Sequence, residues 1–192
     1  NTGTAKYSVG VRVPPGTGGQ NPSLALAYEG GSGNGPLGFG WQLPTGFIQR
    51  QTDKGIPTYG DHVGFERLDR FINEAKEELV PLTNGFLFCK NEGAFIRYRT
   101  TDSHWEGTLP DGSRLEFGRS NSSRIQDGTN RVFAWLLERE TDSRGNTIVY
   151  SYTEFPSAEN INQKYLASIS YGPGAPPWAN FHFVRFVYED RP

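Results

Sequence analysis

The sequence predicts an all-β chain: a meander of antiparallel hairpins with long Gly- and Pro-rich loops and little or no helix. Three observations carry this. Apolar and polar side chains alternate with period two in most segments, the repeat of a half-buried strand. Asp111-Gly112, Asp127-Gly128, Gly145-Asn146 and Asn84-Gly85 punctuate those segments, and such pairs favour tight hairpin turns because they accept positive φ. The 192 residues include 24 Gly and 13 Pro, with 14% aromatics that are mostly Phe and Tyr. That mixture suits many turns between aromatic-rich strands and falls short of a disordered or collagen-like composition.

The elements follow in order. Tyr7, Val9, Val11 and Val13 alternate with Lys6, Ser8, Gly10 and Arg12, and Pro14-Pro15-Gly16 ends the run. Leu24, Leu26 and Tyr28 form the next alternation. Residues 30–40 are a glycine-rich loop closed by Trp41. Further strands are expected at 46–50, 86–90, 94–100, 104–109, 113–118, 132–140, 147–153, 165–171 and 181–188. Asp111-Gly112 joins two of them as a hairpin. The segment Glu66–Leu79 reads two ways. Leu68, Ile72, Ala75 and Leu79 recur at helical spacing, which predicts a short amphipathic helix. The alternative is a hairpin turning at Asn73–Lys76. A loose repeat is visible as well: Asp142-Ser143-Arg144-Gly145-Asn146 feeds Tyr150-Ser151-Tyr152, and Leu109-Pro110-Asp111-Gly112-Ser113 feeds Phe117. A Gly turn running into an aromatic strand is one hairpin unit, and such units stack side by side.

Composition also excludes functions. The net charge is -2, and no run of Lys and Arg points to nucleic acid or anionic lipid. The single cysteine, Cys89, permits neither an internal disulfide nor a Cys-based zinc site. Within Phe86-Leu87-Phe88-Cys89 it reads as a buried small hydrophobe. The longest apolar run, Val132–Leu137, is far below the roughly 20 residues of a spanning helix. With no methionine anywhere, the chain reads as a piece of a longer protein.

Each pattern that could carry chemistry has a plainer reading. Gly33, Gly35 and Gly38 match G-x-G-x-x-G, but Phe39-Gly40-Trp41-Gln42-Leu43-Pro44 follows. A dinucleotide site needs a helix opening there, so a structural loop is expected. His62, His104 and His182 are far apart, and no H-x-H or H-x-x-x-H pair occurs. Glu138 and Glu140 should share one strand face. E-x-E also occurs in arginine-dependent ADP-ribosyltransferases, but their Ser-Thr-Ser strand is missing, and a solvated face is the expectation. Trp41, Trp105, Trp135 and Trp178 could stack on sugars. Trp135 lies in an apolar run and reads as core, whereas Trp178 follows Pro176-Pro177 and reads as exposed.

Several long motifs carry a resemblance. The opening Ala5–Trp41, the stretch Leu109–Gly118, the segment Trp135–Tyr152 and the ending Phe186–Pro192 are together similar to the SpvB-type N-terminal region. That region is found in the Salmonella virulence plasmid protein B and in the B components of insecticidal Tc toxin complexes. The resemblance spans essentially all of residues 1–192 and implies one region of a much larger protein. It implies part of an Rhs/YD-repeat-like curved β shell that encloses or presents a C-terminal toxic domain. It implies a secreted or extracellular location, or delivery into a host cytoplasm. It implies no catalytic residue, cofactor or metal, no nucleic-acid partner and no membrane insertion. Its partners are the rest of the parent chain and other toxin-complex subunits. The structural motif residues are Pro14, Pro15, Gly16, Gly33, Gly35, Gly38, Trp41, Asp111, Gly112, Gly145, Asn146, Tyr150 and Tyr152. The resemblance also favours strand–turn–strand over helix at Asp69–Pro81, although Glu74-Ala75-Lys76-Glu77 stands where a Gly turn is expected. The hydrophobic fraction of 35% fits a wall wetted on both faces. Sheet edges left unpaired predict association with a neighbour or a second copy. The other reading is a free-standing β-sandwich that binds carbohydrate.

Overall fold

The computed structural model describes residues 3–35, 37–60, 69–91, 93–101, 103–128, 131–154, 162–172 and 182–189. Strands β1 (Lys6–Val11) and β2 (Leu24–Glu29) form an antiparallel pair in which Tyr7 faces Tyr28, Val9 faces Leu26 and Val11 faces Leu24. A two-residue ribbon follows, β3 (Asn34–Gly35) with β4 (Gly38–Phe39). Strand β5 (Trp41–Gln42) then returns to the free side of β2.

The next strands walk around a barrel. They are β6 (Phe47–Arg50), β7 (Phe71–Asn73), β8 (Glu78–Pro81), β9 (Leu87–Cys89), β10 (Arg97–Thr100), β11 (Trp105–Thr108) and β12 (Arg114–Phe117), each antiparallel to its predecessor. The short β13 (Arg124–Gln126) precedes β14 (Val132–Thr141), which closes the ring. One edge of β14 takes β6 and the other takes β12, so eight strands form a closed barrel. Ten residues let β14 hold two partners per edge: β13 continues the β12 edge, and β15 (Thr147–Thr153) continues the β6 edge. Register shifts leave Phe133 and Glu138 as extra residues on β14. Such bulges increase local twist, which aids closure. Strands β16 (Tyr165–Tyr171) and β17 (His182–Arg185) extend the sheet outward from β15.

Each barrel strand sends a large side chain inward. Ile48, Phe71, Leu79, Leu87, Tyr98, Trp105, Phe117 and Trp135 are all buried. Phe71 meets Trp105 edge-on with centroids 4.8 Å apart, and Trp105 meets Trp135 at 6.1 Å. A barrel of this size is filled by its own side chains. The wall is therefore dry on its inner face, not wetted on both. Gly118 lets the packing close: its φ is +64°, and a Cβ there would collide with the Trp135 side chain.

A charge also lies inside. Arg50, two residues from Ile48 and on the same face, is 2% exposed. Its Nη1 donates to Asp69 Oδ2 at 2.7 Å and its Nε to the Val132 carbonyl at 2.8 Å. The rings of Tyr59, Phe71 and Trp135 surround the guanidinium at 5.1–5.3 Å. Asp69 also accepts the Thr58 and Tyr59 backbone N–H groups and the Thr58 hydroxyl, each at 2.8 Å.

The helix expected from the spacing of Ile72, Ala75 and Leu79 does not form; Leu68 lies outside the described residues. Phe71 and Leu79 are instead direct partners across a hairpin, and both enter the barrel. Asn73 organises the turn. Its Oδ1 accepts the Ala75 and Glu77 N–H groups at 3.1 and 3.0 Å, and its carbonyl accepts that of Lys76 at 2.9 Å. Lys76 takes the glycine-like position with φ +62°, so the turn survives without a glycine. Cys89 is half-buried rather than fully buried and accepts a hydrogen bond from Asn73 Nδ2 at 3.3 Å.

Candidate interaction surface

The motif residues pin hairpins to one another. Pro14, Pro15 and Gly16 turn the chain after β1, and Tyr171 Oη donates to the Pro14 carbonyl at 2.8 Å. A Cβ on Gly16 would strike the Gln20 carbonyl and lie 3.0 Å from the Tyr171 ring. This corner therefore ties the N-terminal sheet to β16. Gly33, Gly35 and Gly38 sit in the β3–β4 ribbon, where Gly40 N–H donates to the Gly33 carbonyl at 2.7 Å. Trp41 leaves the ribbon and packs on Tyr28 at 5.4 Å. The segment is a hairpin, with no helix opening at Gly38 for a pyrophosphate.

The two loose repeats are the same turn. Leu109 N–H donates to the Ser113 carbonyl and Gly112 N–H to the Leu109 carbonyl; Asp142 N–H donates to Asn146 and Gly145 N–H to Asp142 in the same way. Gly112 and Gly145 both have φ +87°. In the second turn Asp142 Oδ1 accepts the Arg144 and Asn146 N–H groups at 2.9 and 2.8 Å. In the first, Asp111 Oδ1 accepts the Ser113 N–H at 2.9 Å. Downstream, Tyr150 Oη donates to Glu140 Oε1 at 2.5 Å, and Tyr152 Oη to the Leu137 carbonyl at 2.6 Å. Burial and the Glu140 charge push the Tyr150 phenol well above its ordinary pKa.

The patterns that could carry catalysis are occupied by structure. Glu138 and Glu140 do not form a plain solvated face. Glu138 accepts the Ser120 N–H at 2.8 Å and the Ser123 hydroxyl at 2.5 Å. Burial would raise its pKa, but those donors outweigh it and hold the carboxyl below the ordinary range. Glu140 holds Tyr150. His104 Nδ1 lies 2.8 Å from the Thr101 hydroxyl and its Nε2 3.6 Å from Glu106. The His182 ring packs on Tyr171 at 5.1 Å. His62 and Trp178 lie outside the described residues. Among the described residues, no three His, Cys, Asp or Glu side chains come together as metal ligands. Also among them, no helix is long and apolar enough to cross a membrane. Trp105 and Trp135 are buried in the barrel, which removes two of the four candidate sugar platforms.

What remains open is a face. All six residues of β1 are exposed. Tyr7, Val9 and Val11 are 66%, 40% and 40% exposed and lie beside Tyr28, Leu26 and Leu24 in register. The opposite face carries Lys6, paired with Glu29 at 2.7 Å. Among the described residues no strand pairs with the outer edge of β1. The alternation is amphipathic, yet its apolar side meets water, as expected of a surface that another polypeptide covers. The sequence shows the alternation but not that this chain leaves it uncovered. Nor does the sequence single out Arg50 or the outward arginines of β10 and β12. Only the parity of Arg50 with Ile48 hints at an inward charge.

Comparison with known proteins finds similarity to virulence and toxin proteins. It matches the family described as Salmonella virulence plasmid 65kDa B protein, over residues 1–92 and 88–190. It is 26% identical over 199 residues to the mono(ADP-ribosyl)transferase SpvB of Salmonella typhimurium, covering 81% of this chain and 32% of that protein. SpvB of Salmonella dublin matches to the same extent. The chain thus spans about a third of the curated relatives it matches. The crystal structure of TcdB2-TccC3-Cdc42 superposes with TM-score 0.74 at 28% identity, over 88% of this chain and 9% of that one. The Photorhabdus luminescens Tc holotoxin pore gives TM-score 0.73 at 28% identity, with the same coverage. The N-terminal domain of effector protein SpvB from Salmonella typhimurium strain LT2 gives 0.70 at 25% identity, over 88% of this chain and 65% of that one.

Proposed function

Because the chain belongs to the SpvB family, we propose that it is a non-catalytic structural segment of a secreted bacterial toxin or virulence protein. In this reading it is part of a β shell that encloses or presents a toxic domain, and any transferase chemistry of the parent lies outside residues 1–192. One observation carries the reading: the uncovered apolar side of β1, carried by Tyr7, Val9 and Val11. A self-sufficient domain would fold that face inward, whereas a segment leaves it for its neighbours. The neighbours are the rest of the parent chain and other subunits of a toxin complex. The commitment of Glu138 and Glu140 to Ser120, Ser123 and Tyr150 supports the non-catalytic part.

The test places Val9→Lys and Val11→Lys together in the full-length parent and follows assembly by size-exclusion chromatography. Both positions are exposed, so the 192-residue chain should melt within about 2 °C of the unaltered one. Assembly of the parent should fail or weaken; intact assembly would overturn the docking role. NAD turnover by the chain alone that Glu140→Gln abolishes would overturn the non-catalytic role.

A further inference from the structure

The outer wall of the barrel brings together arginines that the sequence scatters. Tyr98 and Trp105 point inward, so by strand alternation Arg97, Arg99, Glu106 and Thr108 point outward. Register aligns the outward side chains in two rows across β10, β11, β12 and β14. One row is Arg99, Glu106, Glu116, Arg139. It neutralises itself: Arg99 Nε donates to Glu106 at 2.7 Å, and Glu116 takes Arg119 at 2.8 Å and Arg139 at 3.6 Å. The other row is Arg97, Thr108, Arg114, Thr141, with two cations, two hydroxyls and no carboxylate. Among the described residues neither Arg97 nor Arg114 has an ion-pair partner. Arg97 rests over the Phe86 ring at 5.8 Å.

Between the two rows β11 carries Gly107, which has no side chain. A Cβ on Gly107 would lie 3.2 Å from Ile96 Cγ2 and 3.4 Å from both Leu115 Cβ and Tyr98 Cε1. Without one, those neighbours pack close against the β11 backbone, as glycine permits. The surface here holds a cleft of about 440 Å³ lined by Phe86, Arg97, Thr108, Arg114, Leu115 and Thr141, with the self-neutralised row along one side. Two strand spacings put Arg97 and Arg114 roughly 10 Å apart, with Thr108 between them.

We propose that this cleft binds an acidic polypeptide segment, two of whose carboxylates pair with Arg97 and Arg114 while the Thr108 and Thr141 hydroxyls donate to them. Charge complementarity selects the occupant. Guanidinium forks match carboxylates bidentately, and the chain as a whole is net negative, so the row is a local exception. Two separated cations suit separately spaced carboxylates, whereas a nucleic-acid backbone takes its affinity from many phosphate contacts along its length. The proposal is independent of the β1 face.

The test titrates a labelled decapeptide of alternating Glu and Ser into the 192-residue chain at low salt, read by fluorescence anisotropy. Its Gln-for-Glu counterpart serves as the neutral probe. The Glu peptide should bind saturably and the Gln peptide should not. Arg97→Gln with Arg114→Gln should weaken binding about tenfold or more, whereas Arg12→Gln with Lys54→Gln, an equal charge loss elsewhere, should leave it unchanged. All four positions are exposed, and matching melting curves establish that the variants fold. No saturable binding, equal weakening in both double variants, or tighter binding of a ten-nucleotide thymidine strand than of the Glu peptide would each overturn the proposal.

Discussion

Arg50 is stable inside the barrel because every side of its guanidinium is matched: a carboxylate and a carbonyl in its plane, and aromatic faces around it. Its partner Asp69 is fixed by three further donors from Thr58 and Tyr59. Burial would raise the Asp69 pKa, but the Thr58 and Tyr59 donors and the Arg50 charge outweigh it and hold the carboxyl below its ordinary range. A carboxyl depressed by folding stabilises above its unfolded pKa, and that contribution is lost as pH falls through the folded value. Urea midpoints should therefore stay level from pH 7 to about pH 5 and decline below about pH 4. Asp69→Asn leaves a buried cation without its counter-charge and should cost about 3–5 kcal/mol at pH 7 in denaturant unfolding. It should also flatten part of the acid decline. An acid limb identical to that of the unaltered chain would contradict this account of Asp69.

Single elements show which local signals decide structure. Gly145 and Gly118 both need positive φ, but only Gly118 is crowded. Gly145→Ala should cost about 1–2 kcal/mol from backbone strain alone. Gly118→Ala adds a collision with Trp135 and should cost more, about 2–5 kcal/mol. Equal losses in thermal unfolding would contradict the packing argument. The strands of 104–109, 113–118, 132–140, 147–153 and 165–171 are legible because alternation and turn chemistry agree there. Glu66–Leu79 misleads because Ile72 and Leu79 on two short strands and Ala75 in the turn between them fall by chance at helical intervals. The turn residues that decide the matter, Asn73 and Lys76, are not glycine. Strand β13 escapes notice because three residues hold no period; β14 recruits it by pairing.

The whole molecule depends on the partner changes along β14, which no single segment announces. Its apolar run reads as a buried strand, but closure needs the two bulges and the β6 and β12 pairings at opposite edges. These are tertiary facts. The modest hydrophobic fraction is legible, and the structure shows where it goes: into a filled aromatic barrel and onto the exposed side of β1. In the proposed reading, that second destination is the surface a neighbour covers. Hydroxyl-radical footprinting of Tyr7, Val9 and Val11, in the 192-residue chain alone and in the full-length parent, compares the two states of that face, with the highly exposed Ile56 as reference. We expect strong labelling of all three in the isolated chain and protection in the parent while Ile56 stays labelled in both. Equal labelling of Tyr7 and Val9 in both would mean that the face has no partner and that the chain is not a docked structural segment.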